Sequence, residues 1–108
     1  MFYRLVDKKP VPCKTGLEWA EWYEAAAVSE ERIVARDELD GLLISTIFIG
    51  IDPGAGDSDE PPLLFETMTF VNGKATGIAI RSATWEDAED RHRSMIRQIH
   101  KSNDDDDA

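Results

Sequence analysis

The run LLISTIFIGI, residues 42–51, decides the fold. It is β-branched, aromatic and apolar at successive positions, so it reads as a central strand with both faces at least partly covered. Asp40-Gly41, just before it, is a hairpin signal, and RIVAR, residues 32–36, is the strand across that turn. Downstream, residues 63–71 (LLFETMTFV) form the next strand. Leu63, Phe65, Thr67 and Thr69 share one face; Leu64, Met68 and Phe70 share the other, which Glu66 interrupts. Asn72-Gly73 is the strongest hairpin signal in the chain, and GIAIRS, residues 77–82, returns as an edge strand. Strands joined by such turns are antiparallel.

Outward from this centre, residues 2–6 read as a short first strand and 7–10 as a turn. Pro10 and Pro12 keep the following residues extended and edge-like. Thr15-Gly16-Leu17-Glu18 is a capping box that opens a helix running to about Ala27. Its apolar stripe is Leu17, Ala20, Tyr23 or Glu24, and Ala27, widened by Trp19 and Trp22. The three tryptophans, Trp85 included, read first as packing residues. Thr84 caps a last helix with Asp87 at its third position and a stripe of Trp85, Ala88, His92, Met95 and Ile99. Acids fill its first turns and bases the rest, as the helix dipole favours. Residues 102–108 are expected to be a disordered acidic tail. The expected fold is therefore α+β: one domain over 1–101, a four- to five-stranded antiparallel sheet, and two helices packed on one face.

Composition narrows the function. A chain of 108 residues makes one domain with one modest core. Its single cysteine, Cys13, excludes an internal disulfide and a multi-cysteine zinc site, and reads as a small apolar filler. No apolar run approaches the roughly 20 residues of a membrane span, and MFYRLVDKK lacks the signal-peptide pattern, so a cytoplasmic protein is expected. Net charge is −10, of which Asp104 to Asp107 carry four charges. Residues 37–73 hold eight acids and no Lys or Arg. Direct nucleic-acid binding is disfavoured, because phosphates demand a basic surface. A basic protein partner suits the charge instead.

No catalytic motif is present, and the chain is expected to be neither an enzyme nor a holder of a cofactor or metal. Ser45 lacks a nucleophile-elbow setting, and no basic residue follows Gly54 and Gly56 as a phosphate loop requires. The loop DPGAGDSDEPP does not match the ligand spacing of an EF-hand. A mixed metal set of Asp52, Glu66 and His92, with Glu66 and His92 as an acid–base pair, is the enzymatic alternative. The structural alternative for Glu66 is an ion pair with Arg81, diagonal to it across a simple hairpin that sets residue 79 opposite. The residues expected to bind a partner are the helix row Glu18, Glu21 and Glu24 with Trp22, and the loop acids Asp52, Asp57, Asp59 and Glu60. The chain is expected to be a monomer, or a homodimer paired through the GIAIRS edge.

Four segments, PVPCKTGLEWAEWYE (10–24), ISTIFIGID (44–52), PPLLFETMTF (61–70) and TWEDAEDRH (84–92), resemble a family of small bacteriophage and prophage proteins of unknown function. The resemblance implies a phage or prophage origin and an accessory role in the host cytoplasm; together with the acid-only stretch it leads to the expectation of an inhibitor of a host defence or nucleic-acid-binding protein, with self-assembly through the GIAIRS edge as the alternative. Relatives typically read Gly-Leu-Asp-His after the central strand, where this chain has Gly50-Ile51-Asp52-Pro53. The histidine is absent, which weighs against a metal-binding imidazole in that loop. The four-Asp tail is also outside the family pattern.

Overall fold

The computed structural model describes residues 1–52 and 61–106, apart from the side chains of 102–106. β1 (Tyr3–Val6) and β2 (Lys9–Pro12) form a two-stranded hairpin, followed by α1 (Gly16–Ser29). Then come β3 (Ile33–Leu39), β4 (Leu42–Phe48), β5 (Phe65–Val71) and β6 (Lys74–Ser82), which lie side by side in that order, all antiparallel. α2 (Trp85–Asp106) closes the chain. The central residues of the three tight turns, Asp7-Lys8, Asp40-Gly41 and Asn72-Gly73, all have positive φ. That is the turn geometry whose twist matches paired strands.

One face of the four-stranded sheet is buried. Ile44, Thr46 and Phe48 of β4 lie beside Thr69, Thr67 and Phe65 of β5, each at most 2% exposed. α2 covers this face. Leu5, Leu64, Trp85 and Ala88 complete the core with the two phenylalanines, and Tyr3, Trp22 and Val34 pack around it. Aromatic rings run through the core without a break. Trp22 meets Phe48 edge-on at 5.6 Å, Phe48 meets Phe65 at 5.1 Å, and Phe65 meets Trp85 at 6.2 Å. α1, the sheet and α2 are joined by that chain. The opposite face carries Leu43, Ile47, Met68 and Phe70, all half-buried.

Several sequence expectations need correction. α1 is rotated from its expected orientation: Leu17 is 69% exposed, and Ala20 and Ala27 are also exposed. The inward side is Trp19, Trp22, Tyr23 and Ala26, because three large rings bury more area than Leu17 and two alanines. Strand β4 ends at Phe48, not residue 51. The amides of Ile49 and Gly50 both turn to Leu64 O, at 2.7 and 3.2 Å. That bend also buries Leu64 alongside Phe65, despite their adjacency in sequence, and leaves Leu63 half exposed. The early hairpin stays apart from the main sheet, tied to it by a single Phe2–Ile51 bridge and by Tyr3 N donating to Gly50 O at 2.7 Å. Residues 102–106, read from the sequence as tail, continue α2. Neither Gly nor Pro interrupts the chain after residue 84.

Candidate functional site

The Thr15 half of the capping box forms as the spacing predicts, while the Glu18 carboxylate reaches one residue further back, to Lys14, rather than to the cap's own amide. Glu18 N donates to Thr15 Oγ1 at 3.1 Å, and Glu18 Oε2 accepts from Lys14 N at 2.8 Å. Glu18 also lies 3.7 Å from Arg4 Nε. Its charge is therefore engaged within the fold, and Trp22 faces inward onto Phe48. Neither is a free contact for a partner. Glu21 and Glu24 remain exposed and pair with no described cation. They share the outward side of α1 with Leu17, Ala20, Ala27 and Val28, the last 88% exposed. Asp52 is half-buried, with its backbone paired to Met1: Asp52 N donates to Met1 O at 2.9 Å, and the terminal amine donates to Asp52 O at 3.0 Å. Asp57, Asp59 and Glu60 lie outside the described residues.

Glu66 and His92 are not brought together; they stand on opposite faces of the sheet. Glu66 is paired directly opposite Arg81, whose Nε donates to Glu66 Oε2 at 2.9 Å. The ion pair expected from sequence is present, but the register differs from a simple hairpin. An irregularity opposite Thr69 inserts two residues into β6, which moves Arg81 from the diagonal to the facing position. Arg81 also donates to Leu63 O at 3.2 Å and so fixes the start of β5.

His92 has a different partner, one that sequence reasoning missed. It is 2% exposed, with Nε2 at 2.7 Å from Asp37 Oδ2 and Nδ1 at 2.8 Å from Thr46 Oγ1. Thr46 Oγ1 lies in turn 2.8 Å from Thr67 Oγ1. A carboxylate only accepts, so Nε2–H donates to Asp37. In the neutral ring, Nδ1 then accepts from Thr46, and Thr46 accepts from Thr67. Four side chains from β3, β4, β5 and α2 are satisfied in one direction. The order carboxylate, imidazole, hydroxyl matches a nucleophile–base constellation. Thr46 is fully buried, however, so its hydroxyl has no route to a substrate. The chain acts as a polar pin between α2 and the sheet. Thr46→Val leaves Thr67 without its acceptor and His92 Nδ1 without its donor. The expected cost is about 1–3 kcal/mol in urea unfolding; an unchanged midpoint would show the pin contributes nothing. The signal for Asp37 was available: a histidine on an apolar helix stripe needs a partner. Choosing that partner required the β3 register.

Cys13 is buried and unpaired. Burial pushes its thiol pKa up and the Glu18 carboxylate adds to this, with Arg4 opposing. A thiol held neutral is a poor nucleophile, so Cys13 behaves as the filler its sequence context suggests.

Among the described residues no three of His, Cys, Asp and Glu converge as a metal-binding set. None of the described helices is long and apolar enough to cross a membrane. A scan against models of known protein families found none that matches the chain, and neither the curated proteins nor the solved structures yielded a match.

Proposed function

We propose that this chain is a small acidic protein-binding module of phage type, which docks the outward side of α1 on a partner with a basic surface. The observation that supports the reading is the composition of that side. A helix apolar on all sides is ordinarily buried. α1 buries its rings on one side and leaves Leu17, Ala20, Ala27 and Val28 in solvent on the other, with Glu21 and Glu24 between them. No basic residue occurs anywhere in α1. An apolar helix face studded with one sign of charge suits a groove lined by apolar and cationic groups. On this reading the Glu21 and Glu24 carboxylates compete for a site that otherwise holds a phosphate backbone, as in a host defence or nucleic-acid-binding protein.

Capture from host lysate tests it. The native protein is expected to retain a basic partner at low salt and release it as salt screens the contact. Glu21→Lys with Glu24→Lys is expected to weaken capture about tenfold or more. Both sites are exposed, so stability should change by no more than about 0.5 kcal/mol. Capture indifferent to both salt and charge reversal would sink the reading. Self-assembly is the second reading, supported by Leu43, Ile47, Met68 and Phe70 on the sheet face away from the helices. Light scattering on the same samples separates the two, because a monomer removes the second.

A further inference from the structure

A cavity of about 500 Å³ opens where the β1–β2 turn, the end of α1, β3 and the start of α2 meet. Leu5, Ile33 and the Trp85 ring give it an apolar lining, and Asp7, Glu30 and Glu31 bring carboxylates to it. The one cation among the described residues of its wall is Lys8, whose Nζ sits 5.2 Å from the centroid of the Trp85 ring. None of the three carboxylates forms an ion pair with a described cation.

We propose that this cavity binds an alkylammonium group, with its aliphatic chain against Leu5 and Ile33 and its charge at the Trp85 face, in the field of Asp7, Glu30 and Glu31. Four features converge on that chemistry. The volume falls within the roughly 300–1,000 Å³ of small-molecule sites. Trp85 already faces an ammonium, so its ring is reachable by a cation, and tryptophan is the best aromatic cation acceptor. Three carboxylates against one lysine leave the lining two charges negative. The carbonyl end of α1, capped by Glu30, points its negative dipole the same way, and no basic side chain in its last turn offsets it. An anion is repelled by all of these, and a neutral ligand uses only the apolar wall. Lys8 holds the place an incoming ammonium would take. The site is separate from the outward side of α1 and stands without the docking role proposed for it.

Two probes carry the chemistry from its two sources: free cadaverine, and the peptide acetyl-Gly-Lys-Gly-amide. Each is titrated by calorimetry into the full chain, with 1-pentanol as the uncharged control. Binding of cadaverine alone assigns the site to a free amine. Binding of the peptide assigns it to a protein's lysine side chain. Glu30→Gln with Glu31→Gln is expected to weaken either probe about tenfold. Lys8→Ala is expected to tighten it about two- to fivefold, because the internal competitor is gone. Both substitutions are at exposed positions. Glu21→Lys with Glu24→Lys should leave the titration within about twofold, since those charges lie outside the cavity and exposed charges are screened at physiological salt. No binding of either probe, pentanol binding as well as cadaverine, or a Lys8→Ala variant that binds more weakly would each overturn the proposal.

Discussion

Phe48→Ala is expected to lower the unfolding free energy by about 3–5 kcal/mol. The side chain is fully buried and touches two of the other rings in the core, Trp22 of α1 and Phe65 of β5. Removing it deletes the contact that brings α1 onto the sheet and leaves a cavity that two rigid rings cannot fill. A domain of this size holds about 5–15 kcal/mol in total, so the variant sits near its folding limit. The comparison that makes the test sharp is Leu17→Ala. Helical spacing placed Leu17 in the core, but it is 69% exposed, and its loss should cost no more than about 0.5 kcal/mol. Urea unfolding of both variants reads the difference. Similar costs for the two would mean that α1 is turned the other way.

Gly50→Ala is expected to cost about 2–4 kcal/mol, combining overpacking with a left-handed backbone. Gly50 has φ +78°, and an added Cβ would meet Tyr3 O at 2.4 Å, Phe48 Cε1 at 2.8 Å and Trp19 Nε1 at 2.9 Å. None of these neighbours is free to retreat. Tyr3 is held by the hydrogen bond its own N–H donates to Gly50 O, Trp19 Nε1 donates to Ile49 O at 3.3 Å, and Phe48 is locked in the core. The early hairpin, α1 and β4 meet at this one residue. Gly41→Ala separates the two contributions: Gly41 has φ +85° with nothing within 4 Å of the added Cβ, so it bears the backbone cost alone, about 1–2 kcal/mol. If the two alanine variants melt alike, the close approach at Gly50 carries no weight.

Turn chemistry explains why so much of the fold was legible. Asp40-Gly41 and Asn72-Gly73 announce their hairpins because few other residues accept positive φ in succession. Thr15-Glu18 and Thr84 announce their helices because a hydroxyl at the cap satisfies amides the helix leaves open. The orientation of α1 was not legible, since apolar residues lie on both of its sides. The stripe Leu17, Ala20, Ala27 and the stripe Trp19, Trp22, Tyr23, Ala26 fit helical spacing equally well, and only the sheet beneath chooses between them. The candidate sites fared differently from one another. Glu66 with Arg81 was foreseen because cross-strand neighbours in one hairpin are close in sequence. Asp37 with His92 was not, because 55 residues separate them.

Taken alone, the amino-acid sequence determined what local chemistry can determine: where the hairpins turn and the helices are capped, that successive strands are antiparallel, and that residues 37–73 carry only negative charge, while strand bounds such as the start of β6 at Lys74 rather than Gly77 were set by pairing. Tertiary structure decided which side of α1 is buried, that Glu66 and His92 face away from each other, that an exposed Asp37 closes the buried chain of His92, Thr46 and Thr67, and that Asp7, Glu30, Glu31 and Trp85 share one cavity. The physical reason is the range of the interactions. Caps and tight turns are settled within a few residues, whereas burial and pairing depend on a register summed over four strands, where an insertion of two residues in β6 moves an arginine from a diagonal to a facing position.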